Sequence, residues 1–156
     1  MHRNDPTPLQ NELADARQAG IYRLPPGKDP ALEGAAAALG FACLKVSADG
    51  SDDIDAILTA LGRDLDFPDW YGVNFDALND CLTDFSWNEA PGYVIVIDAA
   101  EALHHGNPGN FQTLNEVFAN AIEAWREQDI PFWVFYTLAG APQAVGNELA
   151  TLPALA

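Results

Sequence analysis

Tyr93-Val94-Ile95-Val96-Ile97 and Phe132-Trp133-Val134-Phe135-Tyr136 are continuous apolar runs, and together they decide the fold. A strand with one face in water alternates apolar and polar residues. A run without that alternation is expected where both sheet faces are covered, as in parallel strands joined by helices. Between the runs, Phe111, Leu114, Val117, Phe118, Ile122 and Trp125 recur at helical spacing. Strand, helix, strand in this order predicts an α/β layer fold with a small parallel β-sheet flanked by helices.

Working outward, Phe41-Ala42-Cys43-Leu44-Lys45-Val46 reads as a further, mostly buried strand. Ser51, Asp52 and Asp53 precede Ile54, Ile57, Leu58 and Leu61, a single apolar helical stripe with acids in the first turn, where the helix dipole favours them. Gly62 and Pro68 bracket its end. Pro30 opens a predicted helix over Ala31 to Leu39 that stops at Gly40, and Ile21 to Leu24 is a short extended segment closed by Pro25-Pro26-Gly27. Residues 1 to 10 are polar, carry Pro6 and Pro8, and are expected to fray. A short helix over Ala99 to Leu103 and a loop with Gly106, Pro108 and Gly109 are expected after the first apolar run. Residues Ala139 to Ala156, rich in Ala, Gly and Pro, read as a tail or a loosely packed appendage. Nothing along the chain marks a repeat or a second domain, so 1–156 is expected to be one domain.

The chain has 156 residues, 49% of them hydrophobic, a globular composition that argues against disorder throughout. Seven Lys plus Arg against 23 Asp plus Glu give a formal net charge of -16. Such a surface repels nucleic-acid backbones and anionic lipid while speeding encounter with cationic proteins, although acidity also serves simply to keep a protein soluble and monomeric. Cys43 and Cys81 are too few for a disulfide scaffold and sit in apolar patterns, so both read as reduced core thiols of a cytoplasmic protein. No apolar segment behind Met1 resembles a secretory signal, and no run approaches the roughly 20 apolar residues that cross a bilayer.

The functional signal lies in Pro68-Asp69-Trp70-Tyr71-Gly72-Val73 and the predicted helix from Asn74 to Phe85. Phe75, Leu78, Leu82 and Phe85 share one helix face. Asp76, Asn79, Asp80 and Thr83, at i, i+3, i+4 and i+7, share the opposite one, an acceptor-rich ridge. Asp76 and Asp80 repel each other by a few tenths of a kcal/mol, roughly, which a partner's Arg or Lys would reverse. Trp70 and Tyr71 are rigid aromatics beside that ridge, a composition suited to an interface anchor. Gly72 is expected to supply positive φ or close backbone approach. The plainer alternative is that the two aromatics cover the core and the ridge is an ordinary wet face.

In its ordered details this stretch resembles the barstar family, intracellular inhibitors of the secreted bacterial ribonuclease barnase. The shared pattern is a Pro, an acid, two aromatics, Gly, Asn, then Asp76-Ala77-Leu78 and Asp80-Cys81-Leu82-Thr83, and the likeness extends over residues 41–137. The resemblance implies a three-stranded parallel sheet flanked by helices, with 1–40 as an N-terminal extension that carries its own strand and helix and adds an edge strand. It also implies that the helix and its preceding loop cover a ribonuclease active site. By position, Trp70 corresponds to a loop aromatic, Asp76 and Asp80 to two interfacial aspartates with Asp80 the central anchor at a phosphate site, and Thr83 to a rim threonine. An acid of the late helix, Glu123 or Glu127, is implied as a last contact. Asn79 and Phe85 stand where the family's inhibitor has tryptophans, and Trp70 where it has tyrosine, so the contact surface has been recut.

Other chemistries have weaker support. His104-His105 lacks metal-ligand spacing and reads as part of a solvated loop, and Gly106 to Gly109 lacks the Lys and the strand-to-helix context of a phosphate loop. Asp76 and Asp80 could in principle act as paired acids, but one helical turn apart on a convex face they make a poor cleft. The expectation is therefore a non-enzymatic cytoplasmic protein without cofactor or metal, monomeric when free. Its partner is either a basic secreted ribonuclease or another cationic protein recognised by the same scaffold.

Overall fold

The computed structural model describes residues 6–137 and 149–155. In chain order the elements are α1 (Pro8–Leu13), β1 (Ile21–Arg23), α2 (Asp29–Ala38), β2 (Ala42–Ser47), α3 (Ile54–Asp64), α4 (Phe75–Asp84), β3 (Tyr93–Asp98), α5 (Glu101–Gly106), α6 (Pro108–Arg126) and β4 (Phe132–Thr137). Short 3-10 turns follow α1 at Ala16–Gln18 and close the described chain at Pro153–Leu155.

All four strands are parallel, in the order β1-β4-β3-β2, with Ile95 opposite both Leu44 and Val134, and Ile21 opposite Val134. The two continuous apolar runs are the central strands, and Tyr93 to Ile97 and Phe132 to Tyr136 are all buried. Side chains alternate across a sheet, so neighbouring residues of β4 face different layers. Trp133 donates its Nε1–H to the Leu13 carbonyl at 3.0 Å on the α1 side, and Tyr136 donates its hydroxyl to Asn115 Oδ1 of α6 at 2.5 Å on the other. Helices thus cover both faces, as the absence of alternation predicts.

The strand over 41–46 differs from its expectation. It lies at the sheet edge with Cys43 and Lys45 exposed and Val46 buried, so only one of its faces is well covered. Cys43 is accordingly a surface thiol rather than a core one, whereas Cys81 is fully buried. Burial, with the charges of Asp80 and Asp84 adding to it, pushes the Cys81 thiol up to about 11, so it stays protonated at neutral pH.

Residues 6–10 are not frayed. Thr7 and Gln10 form a capping box in which each side chain accepts the other's backbone N–H, at 3.1 and 3.3 Å, and Pro8 occupies the first turn. The prolines and polar residues that suggest disorder are here the start signal of a helix that buries Leu9 and Leu13. Likewise Gly106 ends α5 and Pro108 opens α6, leaving Asn107 alone between them where a loop is expected. Of the expected tail, residues 149–155 are packed: Leu152 and Leu155 are buried, Ala150 O accepts the Arg23 N–H at 2.8 Å, and Ala154 N donates to Glu12 Oε1 at 3.0 Å. The rest of that expectation, 139–148 and 156, lies outside the described residues.

The segment leading into the edge strand β1 is tied to the end of α6 by Arg126. Its Nε donates to Ala16 O at 3.0 Å, its Nη2 to Ala19 O at 2.5 Å, and it ion-pairs with Glu123. Removing this cation leaves the Ala19 carbonyl without a donor and takes the guanidinium from Ala16 O, which keeps the Ala19 N–H at 3.3 Å. Arg126→Met is therefore expected to cost about 2 kcal/mol, read as a lower urea midpoint at unchanged slope. An unchanged midpoint would mean that the contact contributes nothing to stability.

Candidate functional site

The loop into α4 is built on α3. The Tyr71 ring lies against Gly62, where a Cβ would come within 2.8 Å of the ring, so only glycine admits this approach. Its hydroxyl donates to Leu58 O at 2.8 Å, and Phe67 packs edge-on with ring centroids 4.9 Å apart. Burial raises the Tyr71 hydroxyl well above the ordinary phenol range, so it remains a donor. Tyr71 is thus a pillar under the loop, while its neighbour Trp70 is 57% exposed. Sequence alone puts the two aromatics on an equal footing. The close contact with a glycine nine residues upstream is what separates them.

Asn74 caps α4, accepting the Ala77 N–H at 2.7 Å. Close approach rather than positive φ explains Gly72, whose added Cβ would sit 3.3 Å from Asn74 Nδ2. The left-handed residue is Val73, at φ 54°. Leu78, Cys81, Leu82 and Phe85 bury the inner face of the helix. Phe85, itself left-handed at φ 49°, closes α4 and stacks on Tyr93 at 5.0 Å between centroids, which makes it a core residue.

The outer face divides in two. Asp76 and Asp80 are exposed and form no ion pair among the described residues. Asn79 and Thr83 are half-buried along the flank. Asn120 of α6 donates its Nδ2–H to Asn79 Oδ1 at 2.6 Å, and Thr83 Oγ1 donates back to Asn79 O at 2.8 Å. Below them Trp125 Nε1 donates to Leu82 O at 2.7 Å, so two side chains of α6 fix the position of α4. The Asn120 contact was beyond the reach of sequence patterning, because it joins residues 41 apart.

The two late-helix acids separate as well. Glu123 pairs with Arg126 and lines a small cavity with Ala19, Gly20 and Ile21, on the flank of α6 that meets the N-terminal segment. Glu127, exposed at the end of α6, follows Asn120 at i+7 and so shares its face. The ridge therefore comprises Asp76 and Asp80 at its crest, the Asn79–Asn120 pair and Thr83 along its side, and Trp70 at its entrance. From Pro68 to Phe85 there are four aspartates and no Lys, Arg or His, so the ridge can receive cations and hydrogen-bond donors.

Three cavities lie elsewhere among the described residues, and none of them has Asp76 or Asp80 in its walls. His104 and His105 lie in the last turn of α5, not in a loop, with His104 edge-on to Phe111 at 4.9 Å. Among the described residues no three His, Cys, Asp or Glu side chains gather as a metal would need, and no helix is long and apolar enough to cross a membrane.

Comparison with known proteins places this geometry in context. The chain is similar to the "Putative ribonuclease inhibitor YrdF" of Bacillus subtilis (strain 168), with 47% identity over 49 residues, or 30% of this chain and 52% of that protein. The matched part is thus about half the length of the relative. The family model for barstar, the barnase inhibitor, matches residues 41–137, which is β2 through β4 with the capped helix and its loop between them. A match over more than half of the sequence, on a parallel sheet flanked by helices, establishes that the chain belongs to the barstar family.

Proposed function

We propose that this protein inhibits a basic ribonuclease in the cytoplasm of the cell that makes both, occluding the active site one-to-one with α4 and the loop before it. The observation that carries this reading is the pair Asp76 and Asp80, exposed on a convex helix with no ion pair among the described residues. A ribonuclease active site holds Arg, Lys or His side chains around the substrate phosphate. A carboxylate presents to them the same paired oxygens, and the body of the helix excludes RNA. Asp80 acts as the central anchor and Asp76 as its neighbour one turn earlier. Trp70 contributes an exposed aromatic anchor, Thr83 a rim contact and Glu127 a distal acid. Tyr71 supports the loop from beneath, and Glu123 is held by Arg126. Catalysis by the chain itself plays no part.

A second reading, a barstar scaffold with a cationic partner that is not a ribonuclease, draws support from one contact. Asn79 stands where the family's inhibitor presents a tryptophan, and here it is tied to Asn120, so the middle of the surface is polar. Titration of small basic ribonucleases, barnase among them, distinguishes the two readings. Loss of RNA cleavage is expected to be complete at one inhibitor per enzyme. The association rate is expected to fall at least about tenfold between low salt and 0.5 M salt, because opposite charges steer the encounter. Full cleavage at a molar excess of inhibitor across the panel would favour the second reading.

A further inference from the structure

Among the described residues six other than glycine hold a left-handed φ: Asp49, Asp66, Val73, Phe85, Ala99 and Asp129. Aspartate tolerates this region, and alanine is the smallest of the rest. For Phe85 the surrounding core compensates, since its ring is fully buried. Val73 has neither excuse. It is β-branched, for which the conformation is a genuine outlier, and the residue is 39% exposed. The loop nonetheless fixes it there, between Tyr71, anchored on Leu58 O, and Asn74, anchored as the cap of α4. Strain held by an over-determined loop, on an apolar residue left exposed, points to a contact outside the chain.

Trp70 and Val73 are also the two large apolar side chains left exposed among the described residues, three positions apart at the foot of the acidic helix. We propose that Val73 is a partner-binding residue, seated with Trp70 in an apolar recess beside the cationic centre of the ribonuclease. This rests on the inhibitor reading and adds to it a specificity determinant. The neighbouring carboxylates choose the occupant. A second copy of a chain with net charge -16, or an anionic lipid surface, would be repelled from the same spot, whereas a basic protein is drawn to it.

The test uses Val73→Asn and Val73→Gly, both at ease in the left-handed region, with Asp80→Ala as the control, in the ribonuclease titration above. Val73→Asn separates loss of the apolar contact from the added loop freedom of glycine. Melting temperatures of both Val73 variants equal to or above that of wild type, together with about tenfold weaker inhibition by each, are expected. A fall of more than about 2 °C in both variants would overturn the proposal, because Val73 would then be packing within its own chain. Inhibition unchanged in both while Asp80→Ala loses it would also overturn the proposal and leave the inhibitor reading standing. Wild type silent against every ribonuclease would sink the inhibitor reading, and the proposal with it.

Discussion

Asp80→Ala is expected to weaken inhibition of the target ribonuclease by roughly a hundred- to several-thousandfold, the equivalent of about 3–5 kcal/mol. In the proposed complex this carboxylate would be removed from water against the partner's cationic groups. Truncating it loses the charge-assisted hydrogen bonds and leaves those cations buried and unpaired, and the second effect is the larger part. The free protein should hardly notice the change. Asp80 is exposed and, among the described residues, unpaired, so the melting temperature is expected to stay within the range of an ordinary surface substitution, about 0.5 kcal/mol. Most of the lost affinity should appear as faster dissociation, with a smaller loss of association rate from the reduced charge. Weakening of less than tenfold would move the anchor away from Asp80.

The largest effect on the fold itself is expected at Trp125. Its ring is nearly buried, stacks with Phe132 and lies against Tyr93, and its indole N–H is the buried donor to Leu82 O. Trp125→Ala opens a cavity and strands that carbonyl, and about 3–5 kcal/mol of stability is expected to go with it. Trp125→Phe keeps much of the ring and removes only the donor, so about 1–3 kcal/mol is expected. Denaturant melts read both values. Hydrogen exchange should show the loss of protection reaching α4 as well as α6, because this bond and the Asn79–Asn120 pair hold the two helices together. Equal costs for the two variants would mean that the hydrogen bond to α4 contributes little.

The reach of sequence reasoning was set by how local the deciding physics is. The strands β3 and β4 are legible because burial on both faces writes itself into consecutive residues. The helix α4 is legible because its cap, its apolar face and its acidic face all lie within one short stretch. The edge strand β2 reads as apolar but is covered on one face only, a property of sheet order that no window of sequence contains. Thr7 and Gln10 carry a capping signal that the neighbouring prolines obscure, and residues 149–155 become structural only through β1 and α1.

The candidate site divides along the same line. Asp76 and Asp80 come from helical spacing, and their exposure agrees with it. Tyr71, by contrast, has an internal partner in α3, Asn79 one in α6, and Glu123 one in Arg126, each requiring the tertiary fold. Val73 escapes notice for a different reason: a backbone angle leaves no mark on residue type when the chain places valine where glycine or asparagine would be at ease.

The family match leaves out α1, β1, α2 and the closing segment, yet the structure joins them to the same hydrophobic core. Trp133, in the matched region, donates to Leu13 outside it, and Arg126 reaches Ala16 and Ala19. β1 pairs with β4 at the sheet edge, α1 lies against Trp133, and α2 packs on β2. With these elements in place Asp76 and Asp80 remain exposed.

The most direct test of inhibition through this ridge is capture from an extract of the cells that make the protein, with wild type and Asp80→Ala immobilised in parallel and RNA cleavage measured on whatever each releases. A basic protein held by wild type, inactive until eluted, active on RNA afterwards and absent from the Asp80→Ala eluate is the expected result. Capture that is indifferent to Asp80, or a captured partner with no activity on RNA, would contradict it.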